Sequence, residues 1–278
     1  MQHFLTDSHN HSIRLYNFET SMKKLISFVL RKVPRKYIQL VSKPALKITG
    51  LFLRGDNVTC PIINKSYRKF LPYGRVNPRE NALCPDSLSL ERHRLLWLYL
   101  KEKTNFFDER LHFLHVAPEQ CFMKPFEKQH KDKYITGDIE SPLAKVKMDI
   151  HRIPFDNDTF DAAMCNHVME HVDNDIIAVR EIYRVLKPGG WAIMQVPFFS
   201  PIPDKTFEDV SIKSPEAREK AYGQDDHVRL YGKDYPDRIR SAGFEVVEDD
   251  FVHTIPADLV ARYALPKNEI IYFCKKTA

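Results

Sequence analysis

Glu119, Asp138 and Asp149 each stand at or just past the end of a short apolar run, and Asn166 and His167 end another. A carboxylate in such a place accepts hydrogen bonds from hydroxyls and balances an ammonium. Asp138 comes 19 positions after Glu119, the interval at which doubly wound folds place an acid on the hydroxyls of a ribose. Asn166 offers donors and an acceptor to a ligand, and His167 can do the same or act as a base. A second polar group is Gln224-Asp225-Asp226-His227-Val228-Arg229. An acid beside a histidine orients and polarises it, which makes His227 the leading base for a hydroxyl nucleophile, next to Asp226. Arg229 suits a substrate carboxylate or phosphate. Each group also has a plainer reading. Glu119 can cap a helix, Asp138 can close a turn, and the 224–229 stretch can be a loop tied down by charge pairs.

The elements that must position these residues alternate between strand and helix. Phe113 to Ala117, Tyr134 to Asp138, Lys147 to Ile150, Phe160 to Cys165 and Trp191 to Val196 are short apolar runs, as expected of parallel strands covered on both faces. Between the last two, Ile176, Ile177, Val179, Ile182, Tyr183, Val185 and Leu186 mark the apolar side of a helix, with Asp173 as its cap. Pro188-Gly189-Gly190 is expected to stop that helix. Strand, helix, strand is a βαβ unit, and its ligands bind beyond the carboxyl ends of the strands. A polar, irregular stretch is expected over 204–231. A last helix at 234–242 and two strands at 243–247 and 270–274 follow it, with Phe244 and Tyr272 in the core.

Phe160-Asp161, His167-Val168-Met169-Glu170-His171 and Arg184-Val185-Leu186-Lys187-Pro188-Gly189-Gly190 resemble the motifs of class I S-adenosylmethionine-dependent methyltransferases of the small-molecule type. The resemblance runs from about Leu111 to Gly243. It implies an α/β, Rossmann-like, doubly wound sheet of seven strands with an antiparallel last strand, and S-adenosylmethionine as cofactor. It also implies roles. Ala117 and Glu119 would form the turn at the methionine end, with Glu119 on the ammonium. Asp138 would hold the ribose, Asp149 the adenine amino group, Ile150 would pack on the ring, and Asn166 and His167 would lie under the methyl donor. The usual D-x-G-x-G turn is replaced by His115-Val116-Ala117-Pro118-Glu119, without glycine. The implied reaction moves a methyl group to an oxygen or nitrogen of a small molecule, such as a glycan or lipid-linked precursor. An inactive binding module of the same fold is the alternative. A nucleic-acid methyltransferase is disfavoured, because the tip Asn166-His167-Val168-Met169 lacks the N-P-P-Y/F pattern.

Charge is unevenly spread. The chain is +5 overall, yet residues 1–110 carry 20 Lys+Arg against 9 Asp+Glu. Residues 22–55 hold nine basic residues, no acidic one, and apolar residues throughout. Such a segment fits peripheral contact with an anionic membrane, or a helical arm packed on the domain. Met22 looks like an initiator, so 1–21 read as an upstream extension. The domain boundaries expected are 1–55 for this arm, 56–104 for a ribbon and helix, and 105–278 for the catalytic domain. Cys60-Pro-Ile-Ile63 and Cys84-Pro-Asp-Ser87 each resemble half of a zinc knuckle whose second cysteine is gone, so no metal is expected there. Five cysteines without a secretory signal fit a cytoplasmic protein.

Overall fold

A computed structural model describes residues 46–74 and 78–277. The basic arm expected over 22–55 lies outside the described residues up to position 45. Residues 50–278 form one compact unit that contains both the ribbon region and the large sheet. Among the described residues no helix is long and apolar enough to cross a membrane.

Two antiparallel hairpins come first, β1 (Arg54–Cys60) with β2 (Lys65–Tyr67) and β3 (Leu71–Tyr73) with β4 (Arg79–Leu83). Helix α1 (Glu91–Glu102) leads from them to the large sheet. That sheet uses β5 (Phe113–Val116), β6 (Tyr134–Asp138), β7 (Val146–Lys147), β8 (Phe160–Asn166), β9 (Leu186–Gln195), β12 (Glu245–Asp249) and β13 (Ile271–Lys275). Its order is β12-β13-β9-β8-β5-β6-β7. All pairings from β9 to β7 are parallel, while β13 runs antiparallel to both β9 and β12. The order reverses between β5 and β8, so the crevice at their carboxyl ends is where this topology binds ligands.

Alternate residues divide between the two faces because side chains in a strand have a period of two. Phe113, Ala162, Met164, Trp191, Ile193 and Phe273 face a core shared with α1, with α2 (Gln120–His130) and with the hairpins. Leu114, Val116, Ala163, Cys165, Ala192 and Met194 face the opposite core, under α3 (Asp175–Val185) and α5 (Tyr235–Arg240). The first core is rich in rings. Phe126 lies 4.5 Å from Phe106 and 4.9 Å from Phe122 between ring centres, spacings at which aromatic pairs add to their area burial.

One side chain ties the second hairpin to the carboxyl-terminal part of the chain. Arg94, fully buried in α1, donates to the carbonyls of Ala82 (2.9 Å), Ser89 (3.1 Å), Asn81 (3.3 Å), Tyr263 (2.6 Å) and Ala264 (2.7 Å). Its guanidinium also lies 4.5 Å from the centre of the Phe70 ring. Nearby, the segments that begin at Cys60 and Cys84 converge. Cys60 Sγ is 3.3 Å from Ser87 Oγ and 3.4 Å from Ser89 Oγ, and Cys84 hydrogen-bonds to Cys60. Ile63 packs against the core instead. Cys60 is pulled down to about 5 by the Cys84 hydrogen bond, against its own burial, and the two serine hydroxyls add to the effect.

Four local expectations need correction. Helix α3 is capped by Asn174, whose side chain accepts from the Ile177 N–H at 3.0 Å; Asp173 does not cap it. The helix ends at Val185, and Lys187-Pro188-Gly189-Gly190 already belongs to β9. Gly189 adopts φ +78, and its N–H donates to the Lys276 carbonyl (2.8 Å), so the glycine serves the strand entry. The third parallel strand is only Val146–Lys147, which leaves Asp149 and Ile150 in the following turn. The 204–231 stretch contains α4 (Pro215–Tyr222) and a two-strand pairing of β10 (Phe207–Glu208) with β11 (Arg229–Leu230).

Candidate functional site

The carboxyl ends of β5 and β8 meet in a cluster of buried polar groups. Glu119 occupies the N-cap position of α2, but its side chain makes no capping bond. One oxygen instead pairs with His115 Nε2, and the other accepts from Asn166 Nδ2 at 3.0 Å. His93 Nε2 approaches the same carboxylate at 4.0 Å. Burial alone would raise the Glu119 carboxyl, but the hydrogen bond and charge of His115, then His93 and Asn166, outweigh it. They hold the group at about 2. Glu119 is therefore a fixed negative charge at the mouth of the crevice.

Two residues here adopt positive φ without being glycine, Ala117 (+48) and His167 (+53). They sit at corresponding places, just past β5 and β8, and such conformations persist only where the surroundings impose them. Ala117 N–H donates to the Gly137 carbonyl (2.8 Å), and His167 N–H to the Gln195 carbonyl (2.7 Å). Each bond ties a turn to the neighbouring strand. The small Ala117 thus takes the place in which the usual turn has glycine.

Asp138 ends β6. Its Oδ1 accepts from the N–H groups of Glu140 (2.7 Å) and Ser141 (2.6 Å), which fixes the carboxylate and leaves Oδ2 without a hydrogen bond among the described residues. The turn reading of Asp138 is therefore seen directly at Oδ1. Asp149 is half exposed, and its Oδ1 accepts from the His151 N–H (2.9 Å) and pairs with His151 Nδ1 (2.8 Å). These contacts with His151 lower its carboxyl. Ile150, beside it, is buried.

Among the described residues, several buried polar atoms around β8 have no hydrogen-bond partner: Asn166 Oδ1, His167 Nε2, Glu170 Oε2, His227 Nδ1 and His93 Nε2. An unpaired buried polar atom costs about 1–3 kcal/mol. Unpaired buried polar atoms are uncommon in native folds, and here they gather at one strand end.

In the 224–229 segment, His227 is fully buried and its ring centre lies 4.8 Å from that of His171. Burial lowers its pKa, partly countered by the charge of Glu170, so the imidazole is held neutral. The acid next to it in sequence has another partner. Asp226 Oδ2 lies 3.6 Å from His171 Nδ1, and the Asp226 carbonyl lies 3.2 Å from the same nitrogen.

Arg229 requires a clear correction. Its side chain is buried and donates to the carbonyls of Met169, Val172 (2.7 Å) and Asp173 (3.1 Å), with Glu208 Oε1 at 3.4 Å from Nε. Both terminal nitrogens are taken by backbone acceptors and the side chain is buried, so the fork is not presented to a substrate anion. Its work is to hold the 169–173 turn against β11.

Three residues that matter here escaped the sequence reading. His115 looks like an interior strand residue, and only its i, i+4 spacing to Glu119 hints at the pair. Glu170 reads as a helix-flanking acid, yet it is buried. Glu269 carries no motif, but burial raises its carboxyl, with His167 opposing the shift.

Residues 113–194 match the model of a family described as a methyltransferase domain. No curated protein matches the sequence. Three similar solved structures are an S-adenosylmethionine-dependent methyltransferase from Mesorhizobium loti, the YcgJ protein of Bacillus subtilis, and a Burkholderia thailandensis 1,6-didemethyltoxoflavin N1-methyltransferase with S-adenosylhomocysteine bound. The first is 13% identical, covering 64% of this chain and 96% of its own, with a TM-score of 0.47. The second is 15% identical, covering 67% and 99%, with a TM-score of 0.43. The third is 14% identical, covering 67% and 83%, with a TM-score of 0.41. The segment from β5 to β9 thus carries the sequence pattern of a methyltransferase domain on a Rossmann-like sheet.

Proposed function

We propose that the protein is an S-adenosylmethionine-dependent methyltransferase acting on an oxygen or nitrogen of a small molecule. The observation that carries this reading is the set Glu119, Asp138 and Asn166 at the ends of three neighbouring parallel strands, surrounded by unpaired buried polar atoms. Glu119 is a permanent anion suited to the cofactor's ammonium, and Asp138 Oδ2 is free for a ribose hydroxyl. Ile150 offers an apolar wall for an adenine ring, and the exposed Asp149 is free at Oδ2 for its amino group.

S-adenosylmethionine, when bound, supplies an electrophilic methyl on a sulfonium. The chain's part is to hold the acceptor in line with it and exclude water, which is where most of the acceleration in such a transfer arises. His227, neutral and buried, can receive the acceptor's proton, and His167 lies closer to the strand tip. Peripheral attachment to an anionic surface through residues 22–55 would bring the enzyme to a lipid-linked acceptor. Exposed Leu51 and Phe52 favour that extension.

The test of acceptor class is transfer of labelled methyl from S-adenosylmethionine into a fractionated cell extract. Label in the small-molecule or lipid fraction supports the reading. Label only in nucleic acid or protein would replace it.

A further inference from the structure

Glu170, His171 and His227 come together from two segments 57 positions apart, and each presents a ligand atom within 4.8 Å of the other two. Glu170 and His227 are each about 1% exposed, while His171 faces solvent. Two of the three atoms are orphaned. Glu170 Oε2 and His227 Nδ1 are buried without a hydrogen-bond partner among the described residues.

One of the two rings is already committed in the manner of a metal-bound imidazole. His171 Nδ1 lies 3.2 Å from the Asp226 carbonyl, which can only accept. That nitrogen therefore carries the proton, and the lone pair of Nε2 turns toward Glu170 Oε1, 3.9 Å away. His227 Nδ1 has no hydrogen-bond partner among the described residues, and the Tyr222 backbone favours the ring's charged form. A ligating histidine usually donates its other N–H to a carbonyl or carboxylate, which fixes ring and tautomer. His171 does so here. The segment that brings His227 is tied down as well, because Val228 N–H donates to the Glu170 carbonyl (2.9 Å).

We propose that Glu170, His171 and His227 form a divalent transition-metal site, of the zinc class, on the acceptor side of the crevice. Two imidazoles and one carboxylate are a ligand set that zinc takes in open sites, leaving a fourth position for an exogenous oxygen. Bonds of about 2.1 Å place tetrahedral donors about 3.4 Å apart, so the three side chains must each close by roughly 1 Å. That is within the reach of side-chain rotations at a solvent-facing His171. Taken with the methyltransferase reading, on which this step rests, the fourth ligand is an acceptor hydroxyl. Its O–H proton leaves to solvent, its oxygen forms the bond to the methyl carbon, and the C–S bond breaks to give the thioether. In that case His227 is a ligand and not the base.

The test uses the full chain, dialysed against a chelator and then titrated with Zn2+ and Co2+. The expected result is one tightly bound ion per chain. The Co2+ complex should show visible bands of a nitrogen and oxygen site without the intense near-ultraviolet absorption of thiolate ligation. His171→Ala should weaken Zn2+ by more than about 100-fold, the scale expected when a ligand and not merely its support is lost. It should leave the melting temperature within about 2 °C and the S-adenosylhomocysteine affinity within about twofold of the parent. Cys60→Ser/Cys84→Ser should leave the metal in place. Absence of binding, binding unaffected by His171→Ala, or thiolate absorption abolished by the cysteine variant would overturn the site. Failure of S-adenosylhomocysteine to bind while zinc binds would instead count against the methyltransferase reading alone.

Discussion

Replacing Arg229 by methionine separates a structural fork from a substrate anchor. Methionine keeps much of the aliphatic packing but removes the bonds to the carbonyls of Met169, Val172 and Asp173. Met169 is buried, Val172 is half-buried, and Asp173 is exposed and can turn to water. One or two stranded acceptors at about 1–3 kcal/mol each give a loss of about 1–6 kcal/mol. Glu208 is not stranded, because Arg238 holds it at 2.6 Å. For a domain of this size each kcal/mol moves the melting temperature by about 2–4 °C, so a fall near 10 °C is expected. Thermal melting beside urea titration measures it, with S-adenosylhomocysteine affinity as the control. A variant melting within about 2 °C of the parent would refute the structural assignment, and a specific rise in acceptor KM would restore the anchor role.

Stability should also fall in mild acid through His130. Its Nδ1 accepts from the Leu111 N–H (3.1 Å), and burial, helped by the nearby Arg110 charge, holds it down to about 4. Between its ordinary value of 6.5 and about 4, the unfolded chain takes up a proton that the fold refuses, so stability drops as pH falls through that window. His130→Asn keeps an acceptor, and denaturation from pH 7 to 5 should show a pH slope smaller by up to one proton; an unchanged slope would count against it. Gly232→Ala should destabilise β11's exit. A Cβ there meets the Lys205 carbonyl carbon at 2.4 Å and Thr206 N at 2.7 Å, so backbone must move and the Thr206–Asp234 bond (2.7 Å) is lost. Melting at the parent temperature would contradict this. The full chain should float with anionic and not neutral vesicles, losing this in a form beginning at Asp56, since each basic residue near the surface is worth about 1 kcal/mol. Salt should weaken the attachment, and equal flotation of both forms would remove the membrane reading.

The sheet was legible because five apolar runs, one capped helix and the Pro-Gly-Gly turn agree with one another at every level. The boundary errors have local causes. Asn174 and Asp173 are both good caps, and only the first meets the Ile177 N–H. Pro188 looked like a helix stop, yet β9 already begins at Leu186, with Pro188 exposed at its entry. The positions of Glu119 and Asp138 at strand ends were readable from the apolar runs that precede them. The acceptor side was not. Arg229 looks like a free cation in sequence, and nothing local reveals the three carbonyls that converge on it. Glu170 and His227 meet only through the packing of the 224–228 segment on the turn after β8, a contact of long sequence separation.

The central claim is that Glu119 and Asp138 hold S-adenosylmethionine. Calorimetric titration of the purified chain with S-adenosylhomocysteine tests it most directly, beside Glu119→Gln and Asp138→Asn. Both substitutions keep shape, and Asp138→Asn keeps the acceptor used by Glu140 and Ser141. The account predicts one site per chain. Each variant should lose about 1.5–3 kcal/mol of affinity, or roughly 10- to 150-fold, the worth of a charged hydrogen-bond partner. Two variants that bind as tightly as the parent, or a parent that does not bind, would contradict it.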